Sequence, residues 1–196
     1  SLKYVCMGDS LTFGYGVAKN QNWTKILEKK CCAEFVNKGI NGQLTSDMTT
    51  RYNRDVIQEE PDYVILMGGT NDFLHDMPLN TVIDNISIMV NAALDYRIIP
   101  MIGIQMLTDP IMAEKRWAEN TDYTEVNNKI SLYREWAYNY SKSNNIIIFD
   151  FYDAFNRYLM NSKRKTLYID GLHPTPKGHE LMADVIMNEL LKKEAL

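Results

Sequence analysis

The run Tyr4-Val5-Cys6-Met7 stops abruptly in Gly8-Asp9-Ser10, which sets a serine at the carboxyl end of a short buried strand. Open α/β proteins place their ligands at that edge. Ser10 is therefore read as a nucleophile. A serine hydroxyl attacks only when a base takes its proton, and the base needs an anionic partner to hold its tautomer and orientation. Of the three histidines, His173 sits in Asp170-Gly171-Leu172-His173-Pro174, three residues after a carboxylate, so one loop can supply both base and orienter. Gly-Asp-Ser and Asp-x-x-His each also make ordinary turns. Taken together they supply Ser10, Asp170 and His173, a set that is recognised by geometry rather than by chain order. His179, early in the last helix, reads as a packing or surface residue. His75, four residues after Asn71, reads the same way or as part of the cleft wall. Asp9 and Asp72 read as turn stabilisers.

Acyl transfer also needs donors aimed at the oxyanion of the tetrahedral intermediate. Gly39, whose missing side chain permits close backbone approach, and Asn71, with a neutral side-chain amide, are the candidates, and the Ser10 N–H is the third. Gly39 can equally be a turn glycine and Asn71 a helix cap.

These residues need elements to bring them together, and the pattern supplies an alternation of strand and helix. Strands are expected near Tyr4, over Ala33 to Asn37, Tyr63 to Met67, Ile98 to Ile104 and Ile146 to Phe149. The continuous apolar run Tyr63-Val64-Ile65-Leu66-Met67 suits a parallel strand covered on both faces. Helical spacing predicts helices over Trp23 to Lys30, from Thr45-Ser46-Asp47 as N-cap to about Ile57, and over Thr81 to Tyr96 behind a Thr81-x-x-Asp84 cap. Further helices are expected over Tyr123 to Asn144, over Ala154 to Met160, and from Pro176 to about Lys192 with Thr175 as N-cap. The segment Gln105 to Asp122 holds no period and reads as a long loop bordering an acyl or alcohol pocket. The result is an α/β chain, three layers α/β/α, with a parallel five-stranded sheet and right-handed crossovers. Ser10, Gly39, Asn71 and the polar segments after the later strands then share one edge of it.

At 196 residues the chain suits one domain spanning 1–196. Its 45% hydrophobic and 23% charged residues are ordinary for a globular protein, and a net charge of −4 with scattered cations provides no footprint for nucleic acid. Lys163-Arg164-Lys165 reads as a solvated loop. No apolar stretch approaches the roughly 20 residues that span a bilayer. Three cysteines, Cys6, Cys31 and Cys32, form no disulfide framework and suit a reducing compartment, so a cytoplasmic location is expected. A secreted chain whose signal segment had been removed would read identically. No oligomeric state is encoded in these patterns.

Gly8-Asp9-Ser10-Leu11, Gly39 with Asn41 and Gly42, Gly68-Gly69-Thr70-Asn71-Asp72, and Asp170-Gly171-Leu172-His173-Pro174 together resemble the four successive blocks of the SGNH hydrolases, the GDSL lipases and esterases. The resemblance spans residues 8 to 174 in family order. It implies a flavodoxin-like fold, Ser10 as nucleophile, His173 as base, Asp170 as orienter, and Ser10, Gly39 and Asn71 as oxyanion donors, with no metal or organic cofactor. The expected reaction is hydrolysis of a small ester through an acyl-serine, and the lack of an inserted lid favours short acyl or acetyl esters, such as those of carbohydrates. Lysophospholipids, thioesters and acyl transfer to another acceptor suit the same residues. A different alternative has Asp9, Asp72, Asp170 and His173 ringing a divalent metal for phosphoryl hydrolysis.

Overall fold

The computed structural model describes residues 1–193. Five strands, β1 (Leu2–Gly8), β2 (Ala33–Gly39), β3 (Tyr63–Met67), β4 (Ile99–Ile104) and β5 (Ile147–Asp150), form one parallel sheet in the order β2-β1-β3-β4-β5. The chain runs outward to β2 and then reverses to β3 on the other side of β1. That reversal opens a crevice beyond the carboxyl end of β1.

Side chains alternate between the two faces of each central strand, and this splits the core in two. Val5, Met7, Val64, Leu66 and Ile102 pack on one side with α3 (Thr45–Asp55), α5 (Leu79–Asp95) and α7 (Tyr123–Asn144). Tyr4, Cys6, Ile65, Met67 and Met101 pack on the other with α2 (Trp23–Lys30), α8 (Phe151–Leu159) and α10 (Pro176–Lys192). The three expected layers are thus present. Thr175 caps α10 through its hydroxyl and Pro176 opens the helix.

Several local expectations give way to tertiary contacts. Thr81 does not cap α5, because the helix already starts at Leu79 behind Pro78, so Thr81 lies inside its first turn. Thr45 is the first residue of α3 rather than its cap, and its hydroxyl donates to Asp72 at 2.8 Å instead of to its own helix. That helix ends at Asp55, before a 3-10 turn over Ile57–Glu59. The loop expected over 105–122 contains α6 (Pro110–Arg116). The basic run 163–165 is exposed as expected, but it enters the short helix α9 (Arg164–Leu167). Two further short helices follow strands directly, α1 (Ser10–Phe13) after β1 and α4 (Thr70–Leu74) after β3.

Candidate active site

Ser10 is the first residue of α1, held where β1 gives out. The carboxylate of Asp9 caps that turn by accepting the Leu11 N–H at 2.9 Å, the stabilising role expected of it. Burial pushes the Asp9 carboxyl up to about 6, against the lowering effect of that hydrogen bond. The loop after α1 is fastened by Asn22, whose amide donates to the Thr12 and Phe13 carbonyls at 2.9 Å each.

Residues 170–173 form a tight loop before α10, closed by Ile169 N–H donating to the His173 carbonyl at 2.9 Å. Inside it, Asp170 Oδ1 accepts the Leu172 and His173 N–H groups at 2.9 and 2.8 Å, and Oδ2 lies 2.7 Å from His173 Nδ1. Burial raises the Asp170 carboxyl, but the hydrogen bonds from His173 and the backbone outweigh it and hold the group below its ordinary value. It is therefore an anion at neutral pH. An anion at Nδ1 keeps a proton there, so Nε2 is the acceptor and faces Ser10 Oγ at 3.1 Å. Ser10, Asp170 and His173, distant in sequence, form one buried hydrogen-bonded relay.

Gly171 makes this loop possible. Its φ is +90°, and a Cβ there would lie 2.4 Å from Ala113 N and 2.7 Å from Asp109 O. The loop also accepts the Asp109 N–H on the Gly171 carbonyl at 2.8 Å, so the start of α6 rests directly on it. Gly171→Ala is expected to cost about 2–4 kcal/mol from left-handed strain plus overpacking and to slow turnover by shifting His173. An unchanged melting temperature would contradict that close packing.

A cavity of about 260 Å³ opens over the relay, lined by Ser10, Gly42, Asn71, Trp117 and His173 among others. Asn71 is brought there by α4, and its amide donates to the Gln43 carbonyl at 3.0 Å, leaving its second N–H for the cavity. Gly39 does not reach it. Its N–H donates to Asn37 Oδ1 at 2.9 Å, and it lines a separate depression beside β2. The missing side chain serves packing instead, since a Cβ at Gly39 would lie 2.2 Å from Phe13 N. The glycine on the cavity is Gly42, at φ +78°, and its N–H meets no acceptor among the described residues. The sequence signal was present in the second glycine of the same break.

Arg51 was not legible as part of the site. Its buried guanidinium donates to the Gly8 and Lys38 carbonyls at 2.9 and 2.8 Å and to Gln43 Oε1 at 2.6 Å. It thereby ties the ends of β1 and β2 to the segment that holds Asn71. Asp72 anchors the same region through Thr45, whose N–H and hydroxyl it accepts at 3.0 and 2.8 Å.

The other histidines stay outside the relay. His75 is exposed at the end of α4, its Nδ1 2.8 Å from the Asn71 carbonyl, and is not part of the cavity wall. His179 is fully buried and accepts the Trp23 N–H on Nδ1 at 3.2 Å. Burial pushes it down to about 4, so it packs as a neutral ring. The metal-ring alternative fails on geometry: Asp72 is taken up by Thr45 and Asp170 by His173. No cluster of three or more His, Cys, Asp or Glu side chains suited to a metal ion exists among the described residues.

The profile of the GDSL-like Lipase/Acylhydrolase family matches residues 6–181. An acetylxylan esterase of Geobacillus stearothermophilus is 24% identical over 155 residues, covering 79% of this chain and 71% of its own. An arylesterase of Vibrio mimicus is 24% identical over 197 residues, covering 98% and 90%. The structure of a G-D-S-L family protein from Desulfitobacterium hafniense superposes with a TM-score of 0.80 at 30% identity, covering 97% of this chain and all of that one.

Proposed function

The chain belongs to the GDSL-like Lipase/Acylhydrolase family and is a carboxylic ester hydrolase, and we propose that it releases short acyl groups, acetyl foremost, through an acyl-enzyme on Ser10. The observation that carries this reading is the relay from Asp170 through His173 to Ser10, at 2.7 and 3.1 Å, opening on a cavity of about 260 Å³. That volume lies below the range of about 300–1,000 Å³ typical of sites for drug-sized ligands, which favours a short acyl group.

Ser10 Oγ adds to the ester carbonyl as its proton passes to His173 Nε2, and the Asp170 carboxylate stabilises the imidazolium. The Ser10 and Gly42 N–H groups and the Asn71 amide receive the oxyanion. The imidazolium gives its proton to the departing alkoxide, leaving an acyl-serine. A water, deprotonated by His173, then attacks the acyl carbon and Ser10 leaves, regaining its proton from the imidazolium. Alcohol and acid are released, and the enzyme returns to its starting state.

Asn71→Ala is expected to lower kcat on the order of 10²–10³-fold, the usual cost of one oxyanion donor, with a much smaller effect on KM. Initial rates on a p-nitrophenyl series from acetate to laurate test both donor and acyl size. A laurate optimum would refute the short-acyl reading, and an Asn71→Ala variant with normal kcat would remove this residue from the oxyanion site.

A further inference from the structure

Leu74 stands between the cavity over Ser10 and a second cavity. It is the last residue of α4 and lines the catalytic cavity together with Asn71, three residues earlier. Residues three apart on a helix share a face. The second cavity, of about 350 Å³, is lined by Phe73 and Leu74 from α4 and by Asn120, Thr121, Asp122 and Glu125 around the start of α7, among others. Leu74 is the one residue among those described that borders both. Its position is fixed from three sides. The side chain packs against the apolar core that α5 and α7 cover. The His75 and Met77 N–H groups close the turn behind it on the Asn71 and Asp72 carbonyls at 3.0 and 2.9 Å. Lys129 of α7 donates to the Met77 carbonyl at 3.1 Å and holds that turn to the neighbouring helix.

Position decides which half of the ester meets this side chain. In the proposed mechanism, on which this inference rests, His173 Nε2 hands its proton to the leaving oxygen, so the alcohol half lies beside the imidazole, where the Tyr15 and Trp117 rings stand. The carbonyl oxygen turns to Gly42 and Asn71. The acyl substituent is then left the side of the cavity away from the imidazole, and Leu74 is the apolar side chain on the Asn71 face of α4. We infer that Leu74 is the residue that sets acyl length, its isobutyl group filling the space that the carbons of a longer acyl chain would need. The second cavity reinforces the limit. A hydrocarbon tail that passed Leu74 would displace water from Asn120, Thr121, Asp122 and Glu125 and offer them no hydrogen bond in return. Leu74 keeps an apolar pocket closed against a polar one.

The test trims and enlarges this side chain while the two halves of the ester are varied separately. One series keeps p-nitrophenol and runs the acyl group from acetate to laurate, and the other keeps acetate and changes the alcohol among phenyl, ethyl and cyclohexyl. For Leu74→Ala, kcat/KM on hexanoate relative to acetate should rise about tenfold, the lower end of what a methylene is worth in an apolar pocket, with laurate gaining less because its tail meets the polar lining. Leu74→Phe should act in the opposite direction, lowering butyrate relative to acetate about tenfold. Leu74→Val should shift the profile as Leu74→Ala does, by less and with a melting temperature close to the wild type, so a poorly folded Leu74→Ala leaves the test standing. The acyl group is still present after the alcohol departs, so the same shift should appear in the hydrolysis of the acyl-enzyme. The ranking of the acetate esters by alcohol should stay as in the wild type. An unchanged acyl profile in folded Leu74→Val and Leu74→Phe, a uniform loss across the acyl series, or a reordering of the alcohol series would each overturn the assignment. A wild-type protein that forms no acyl-Ser10, or that has a laurate optimum, would refute the underlying reading instead, and the wild type alone reveals it.

Discussion

Ser10→Ala is expected to lower kcat/KM for ester hydrolysis on the order of 10⁴–10⁶-fold, with His173→Ala giving a loss of the same size. The two residues work as one unit, so removing either leaves nothing for the other to do, and the double variant should be scarcely worse than either single one. Folding offers no competing explanation for Ser10→Ala. The side chain is small, stands at the first position of α1, and has its hydrogen bond only with His173 among the described residues. Thermal melting recorded beside the rates checks this. Near-normal turnover in the folded variant would show that another group attacks the ester.

Asp170→Asn is expected to cost on the order of 10⁴-fold in kcat, by analogy with the same change in other serine hydrolases. The reasoning is geometric. An asparagine keeps an oxygen for the Leu172 and His173 N–H groups, so the loop keeps its shape. The NH₂ group then faces His173 Nδ1, which must accept, and the ring proton moves to Nε2. Nε2 can no longer take the Ser10 proton. The variant should thus melt close to the wild type while losing nearly all activity. Substantial kcat in Asp170→Asn would mean that packing by Tyr15, rather than the carboxylate, orients the imidazole.

What the sequence made legible were features carried by pattern or by chemical type. The uninterrupted apolar run 63–67, short and bounded by Pro61-Asp62 and Gly68-Gly69, suited a covered strand, and the alternation around it led to the parallel sheet and to the common edge of Ser10, Asn71 and His173. The α7 helix matched its expected bounds through its apolar spacing alone, and α10 because the Thr175 cap, Pro176 and the apolar spacing agreed. What was missed depends on direction or on partners distant in sequence. Choosing Gly42 over Gly39 required knowing that Asn37 folds back onto the Gly39 N–H, which no spacing reveals. The α1 and α4 helices are too short to show a period, yet they aim Ser10 and Asn71. Arg51 lies on a polar stretch of α3, and only the converging carbonyls of Gly8 and Lys38 give it a place in the site. Likewise, α6 is seven residues long and is held in place by Gly171, a contact across more than half a hundred residues.

The central claim is that the ester's acyl group passes through Ser10. The most direct measurement is mass spectrometry of the protein quenched in acid milliseconds after mixing with p-nitrophenyl acetate, followed by peptide mapping. One acetyl group on the peptide containing Ser10, decaying as acetate is released and absent from Ser10→Ala, is the predicted result. Hydrolysis proceeding with no covalent acetyl at Ser10, or with the acetyl on another residue, would contradict it.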